Sequence, residues 1–166
     1  MNTKRTVSFL LVLVMIGTAF LAVSCEKKGY ANVHIKFVTT LDENGEKLPE
    51  EKVIGETTVK VEGTQSNPPT VLQAAQTALA ELSYEEGYET TSDGYSIARI
   101  KTYEEHDEVD ATTGYYTYWV AYVDGERKSG GRQSAIPVYD QSEVVFKYIS
   151  DSTPREDVGT SNDTGN

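Results

Sequence analysis

Residues 32–39 alternate apolar Val33, Ile35 and Phe37 with polar His34 and Lys36, the period of two that lays one face of a strand on a core. Asp42-Glu43-Asn44-Gly45 is turn chemistry, and Glu46 to Lys52 reads as a polar connection. A second strand is expected from Ile54 to Glu62, closed by Gly63. Asn67-Pro68-Pro69-Thr70 then changes the period. Thr70 and Gln73 have capping-box spacing, in which hydroxyl and amide satisfy each other's backbone donors. Val71, Leu72, Ala75, Ala78, Leu79 and Leu82 recur at helical spacing. Together these features predict one main helix over about 70–84, with Gly87 closing the helical region.

Beyond Gly87 the pattern returns to strands. A connection runs to Gly94, and Tyr95 to Tyr103 carries Ile97 and Ile100 as a further strand. An acidic loop over 104–114 leads to Tyr115–Val123, the strongest strand signal in the chain because aromatic and β-branched residues fill it. Asp124-Gly125 is a hairpin turn. Glu126 to Arg132 returns as a short strand or loop, Ile136 to Tyr139 is turn-like, and Glu143 to Ile149 closes the series. A single amphipathic helix among strands must bury its stripe against a sheet. The class is therefore α+β, a β-grasp-like mixed sheet packed on one main helix.

The first 24 residues read differently. Lys4 and Arg5 precede an uncharged apolar run from Val7 to Val23, and Leu21-Ala22-Val23-Ser24-Cys25 resembles the lipobox of a bacterial lipoprotein signal. On that resemblance residues 1–24 are removed, Cys25 carries lipid, 25–31 form a short membrane-proximal linker, 32–150 the domain and 151–166 a disordered polar tail. The protein would sit on the extracytoplasmic face of a bacterial membrane. An uncleaved apolar anchor and an ordinary secretory signal are the alternatives.

Composition narrows the partners. Two of the 15 basic residues and none of the 26 acidic ones precede Cys25, so the chain from Cys25 onward carries a net charge of −13. Such a surface argues against nucleic acid. Cys25 is the only cysteine, so no internal disulfide framework is expected and stability must come from the apolar core. Eleven tyrosines against one tryptophan suit strands and ligand surfaces alike.

Thr70-Val71-Leu72-Gln73-Ala74-Ala75, Tyr118-Trp119-Val120-Ala121-Tyr122-Val123-Asp124-Gly125 and Val144-Val145-Phe146-Lys147-Tyr148 follow one another in an order that resembles the transcobalamin-like C-terminal domain family of bacterial surface domains. The resemblance covers about residues 32–150 and implies a ligand-binding β-grasp domain. It departs at Asp140-Gln141-Ser142, where the family commonly has a Gly-Asp pair. It does not extend to the helical barrel that completes the enclosure of cobalamin in the larger transcobalamin architecture. Cobalamin is therefore implied only by the resemblance, and no other cofactor is expected.

Candidate binding residues follow from strand alternation. Thr117, Trp119, Ala121 and Val123 share one face, assigned to the core; Tyr116, Tyr118 and Tyr122 share the other, a partly exposed aromatic ledge. Arg127, Lys128 and Arg132, around Ser129-Gly130-Gly131, form a basic cluster in which Arg127 and Arg132 offer forked donors to an anionic group. Glu104, Glu105, His106, Asp107, Glu108 and Asp110 match no calcium-loop spacing, and His34 and His106 stand too far apart in sequence to suggest zinc. Ser134 has no neighbouring His or nucleophile elbow. The expectation is a non-enzymatic surface lipoprotein that binds a small molecule or a membrane transporter component in an uptake process. An interaction or adhesion module without a small-molecule pocket is the alternative.

Inhibiting the lipoprotein signal peptidase with globomycin should leave a heavier precursor, and Cys25→Ala should do the same. Normal maturation of Cys25→Ala, read by mass, would rule out lipidation.

Overall fold

Thr70 caps the helix as its spacing requires: its Oγ1 accepts from Gln73 N at 3.3 Å, and Gln73 Oε1 accepts from Thr70 N at 2.9 Å. The computed structural model describes residues 28–42, 44–84, 87–106, 114–128 and 132–152. The apolar leader with Cys25, the linker up to Lys27, Asp107, Glu108 and Asp110, Ser129-Gly130-Gly131 and the tail from 153 onward lie outside the described residues.

Helix α1 (Val71–Glu81) buries Val71, Leu72, Ala74, Ala75, Ala78 and Leu79. It stops earlier than the expected 84 and does not wait for Gly87. Ser83 takes φ 60°, and Ser83 N donates to Ala80 O while Tyr84 N donates to Leu79 O. That pair of bonds is a Schellman closure with serine standing where glycine is usual. Leu82, expected in the buried stripe, is the C-cap and only partly buried.

The helix lies on a five-stranded sheet in the order β2-β1-β8-β6-β7. Its strands are β1 (Gly29–Leu41), β2 (Lys47–Gly63), β6 (Tyr116–Val123), β7 (Glu126–Lys128) and β8 (Glu143–Asp151). β1 and β8 run parallel at the centre, flanked by antiparallel β2 on one side and β6 and β7 on the other. This is the β-grasp arrangement expected from the pattern. Its covered face carries Val33, Ile35 and Phe37 from β1, Val59 and Val61 from β2, and Trp119 and Ala121 from β6, with Val144 and Phe146 from β8, all buried. Phe37 and Phe146 meet with ring centroids 5.4 Å apart. Each fully buried Val or Ile contributes on the order of 1.5–3 kcal/mol. Gly55 of β2 makes room for the helix end, since a Cβ there would stand 2.8 Å from Leu82 Cδ1. Beside it, the Tyr84 hydroxyl donates to Ile54 O at 3.1 Å.

Three local readings change. Glu46–Lys52, read as a connection, is mostly strand: β2 starts at Lys47 and pairs with β1 past a bulge at Phe37/Val38. An edge strand exposed on both faces has no reason to alternate, so its polarity concealed it. The segment 88–104 forms a second sheet of β3 (Tyr88–Thr90), β4 (Ile97–Ile100) and β5 (Tyr103–Glu104). The continuous strand expected from Tyr95 to Tyr103 reverses at Lys101, which has φ 56°. The domain is wider at both ends: Gly29 to Ala31, assigned to the linker, open β1 and pair with Val61 to Gly63, and Asp151, assigned to the tail, is the last residue of β8, opposite Tyr116.

The small sheet joins the main one through an aromatic triangle. Trp119 Nε1 donates to Tyr103 O at 3.1 Å, and the Tyr148 hydroxyl donates to Glu104 O. The Trp119 ring stands edge-on to Tyr103 at 6.5 Å and tilted to Tyr148 at 5.2 Å. Buried Gln133, in a 3-10 turn (Gln133–Ala135), accepts from Ile97 N through Oε1 at 2.8 Å and fixes the start of β4. Trp119→Phe keeps an apolar ring but strands the Tyr103 carbonyl. Chemical denaturation should show a loss of about 1–3 kcal/mol, with weakened amide-exchange protection concentrated in 97–104.

Candidate binding face

Strand pairing sets the outer face of the sheet, the side away from α1, in rows. Val53, Val38, Lys147 and Val120 are register partners across four strands; Lys36, Val145, Tyr122 and Arg127 form the next row. Ile149 stands opposite Tyr118, and Asp151 opposite Tyr116. Trp119 points into the core as the alternation requires, which puts Tyr116, Tyr118 and Tyr122 together on the outer face.

Their exposure divides them. Tyr116 and Tyr122 are half-buried. Tyr118 is only 3% exposed, so the partly exposed three-ring ledge contracts to two rings. The reason is crowding: Tyr118 has Ile149 alongside it, and Arg127 Nη2 donates to its hydroxyl at 3.3 Å. Arg127 also stands 3.8 Å from Asp151. Burial pushes the Tyr118 phenol up from its usual pKa, the Asp151 charge adds to the rise, and Arg127 opposes it.

The basic cluster of the sequence does not assemble. Arg132 lies over the Tyr95 ring at 4.0 Å and 3.8 Å from Asp93, beside the β3–β4 turn. Lys128 pairs with Glu126 at 2.7 Å on the opposite side of β7 from Arg127. Adjacency in sequence misled because successive strand residues face opposite ways. Lys147 was missed as a site residue, although its even spacing from Val145 and Ile149 in β8 placed it on the outer face. Its ammonium sits 5.2 Å from the Tyr122 centroid and reaches Glu51 across the sheet. Val53, from the stretch where polarity hid the strand, is 47% exposed at the end of its row.

The face therefore combines a floor in which Val38 and Val120 are buried, two half-buried tyrosines, and cations at both Tyr118 and Tyr122. Its chemistry is stacking, apolar contact and charge pairing. Among the described residues no group of three or more His, Cys, Asp or Glu stands close enough to hold a metal ion. On the helix side, a groove of about 330 Å³ between β2 and α1 is lined by Lys60, Val61, Glu62, Gln73, Gln76 and Thr77.

No family model matches the chain, and no curated protein matches it. Among solved structures, the crystal structure of haptocorrin in complex with Cbi superposes on 73% of the chain at 15% identity with a TM-score of 0.48. The match spans a quarter of the haptocorrin chain.

The raised phenol has a thermodynamic consequence. Above about pH 10 an unfolded Tyr118 releases a proton that the folded chain retains. Its contribution to stability is thus present below that pH and lost as pH rises through the folded value. The Tyr148 phenol, also pushed up chiefly by burial, acts in the same direction. Denaturation midpoints measured from pH 8 to 11 should fall more shallowly for Tyr118→Phe than for the parent chain. Parallel slopes would show that Tyr118 titrates alike in both states.

Proposed function

We propose that this chain is a lipid-anchored binding protein of the extracytoplasmic membrane surface, without catalytic activity, whose outer sheet face docks a neighbouring envelope protein such as a transporter component. The observation that carries this reading is the outer sheet face on which Tyr116 and Tyr122 keep part of their surface exposed, Tyr122 with Arg127 as its register partner and Lys147 over its ring. An aromatic surface laid along a sheet fits another surface better than it encloses a small molecule. Tyrosine and arginine are also the residue types that anchor protein contacts.

The anchor makes the same argument from reach. With lipid on Cys25, the four residues before β1 span at most roughly 3.6 Å each, which holds the sheet close to the headgroups and to membrane-embedded partners. Participation in small-molecule uptake would then come through the transporter. Arg132, engaged with Tyr95 and Asp93, takes no part in this face.

Tyr116→Ser/Tyr122→Ser should abolish co-purification of one defined membrane protein after mild cross-linking, while the melting temperature changes by only a few degrees. A panel of small molecules, corrinoids included, should leave the melting temperature unmoved. A saturable shift with one of them, lost in the same double variant, would replace the docking reading by a small-ligand one.

A further inference from the structure

β2 forms one rim of the main sheet, and its main chain identifies the positions that face outward. His34 N donates to Ser142 O on the β8 side at 3.0 Å, so the His34–Thr58 pair is a non-hydrogen-bonded one in the β1–β2 ladder. The neighbouring pairs Val33–Val59 and Ile35–Thr57 carry the bonds between these strands. Glu56, Thr58, Lys60 and Glu62 consequently direct their own N–H and C=O groups out of the sheet. All four side chains are exposed. The groove beside Lys60–Glu62 separates this stretch from α1.

Only part of the rim is usable. The bulge at Phe37/Val38 breaks its line near Gly55, and Pro49 has no N–H to give. Both are devices that keep an edge from pairing indiscriminately. Residues 55–63 remain regular, without proline.

We infer that this stretch pairs antiparallel with the same stretch of a second copy of the chain, about a two-fold axis through Thr58. The sequence Glu56-Thr57-Thr58-Val59-Lys60 selects both the partner and the register. With Thr58 opposite the partner's Thr58, Glu56 falls opposite the partner's Lys60 and Lys60 opposite the partner's Glu56. Outward-facing positions meet outward-facing positions, which permits about six main-chain hydrogen bonds. Of the neighbouring symmetric registers, an axis through Glu56 or through Lys60 sets like charges face to face, and an axis at Val59 sets Glu56 against Glu62 twice; an axis at Thr57 forfeits both Glu56–Lys60 pairs and carries Lys60 past the bulge to Ile54. On the outer face His34 Nε2 already holds Glu56 at 2.9 Å, and His34 Nδ1 lies 3.2 Å from Thr58 Oγ1. The acidic member of each pair is thereby oriented beside the axis. The two five-stranded sheets would merge into one of ten strands, with Tyr116 and Tyr122 far from the seam and still open to a partner.

Cysteine pairing in the full-length chain, purified in detergent, tests the register directly. Antiparallel hydrogen-bonded partners have Cα atoms about 5.5 Å apart, within the range a disulfide spans. Thr58→Cys should give a covalent dimer under mild oxidation, well above the level seen with the parent chain. Glu56→Cys and Lys60→Cys should cross-link with each other when co-expressed and not alone. By sedimentation, Glu56→Lys should weaken dimerisation at least tenfold, and Glu56→Lys/Lys60→Glu should restore it. The inference is overturned by a parent chain that stays monomeric at tens of micromolar, or by cross-linking of Glu56→Cys with itself. It is equally overturned by a charge swap that fails to restore association while melting like the parent. Tyr116→Ser/Tyr122→Ser should leave the dimer intact, which separates this outcome from that of the docking face.

Discussion

The parallel pairing of β1 with β8 is the constraint on which the rest of the structure depends. These strands sit at the centre of the sheet and contribute Val33, Ile35, Phe37, Val144 and Phe146, each fully buried. They are joined by contacts across 108 residues of sequence, among them Thr40 Oγ1 donating to Tyr148 O and the Asp140 carboxylate accepting from Asn32 N. Parallel neighbours cannot be joined by a tight turn. The chain between them adds β2, β6 and β7 to the same sheet, and between β2 and β6 it must leave the sheet, cover a face and return. Helix α1 does this first, and the small sheet then closes the end of the same core through Trp119 and Tyr148.

Closing so long a loop is costly in entropy, though the cost grows only slowly with length. Polar locks at the end of the seam where β8 begins help to offset it. Asp140 takes both the backbone N and the side-chain amide of Asn32 at 2.8 Å, which holds its carboxyl below the usual range. Gln141 sits at φ 68° and donates to Asn32 O. In this turn, Asp140-Gln141-Ser142, a side chain is held where glycine would be unstrained. Across the sheet, Asp124 at the β6–β7 hairpin accepts from Glu143 N at 2.8 Å. Asp124 and Gly125 both have positive φ, as a two-residue hairpin turn demands.

Periodicity made the buried parts legible. The alternation in 32–39 and 115–123, the helical stripe and the Thr70–Gln73 cap each report a side chain's relation to the core, and the structure uses each in that way. The parts that escaped are governed by neighbours instead. Lys47–Lys52 pair as strand because β1 is there to receive them. The β4–β5 reversal at Lys101 leaves no glycine or proline in the sequence, and the helix ends on Ser83 where a glycine was awaited at 87. The outer face was half legible for the same reason. Alternation puts three tyrosines on one side, but only the register with Ile149 and the reach of Arg127 reveal that Tyr118 is closed. Arg127 and Arg132 looked like one cluster because chain distance was all the sequence offered.

A sheet covered on one side has two kinds of unfilled valence: its bare face and its rims. In this chain they differ in chemistry. The outer face is aromatic and apolar with Lys147 over the Tyr122 ring and Arg127 on the Tyr118 hydroxyl, a surface that gains from excluding water. The β2 rim is charged, and its attraction lies in directional main-chain groups whose register is policed by alternating Glu and Lys. A face of the first kind tolerates many partners, and a rim of the second kind accepts very few. Because the face residues on β6 and the rim residues on β2 are separated by β1 and β8, substitutions in one need not disturb the other. A rim occupied by a second copy would also remove the longest unpaired edge from the sheet. That converts an aggregation hazard into a defined seam, and it leaves the tyrosine face as the surface through which the assembly meets other molecules.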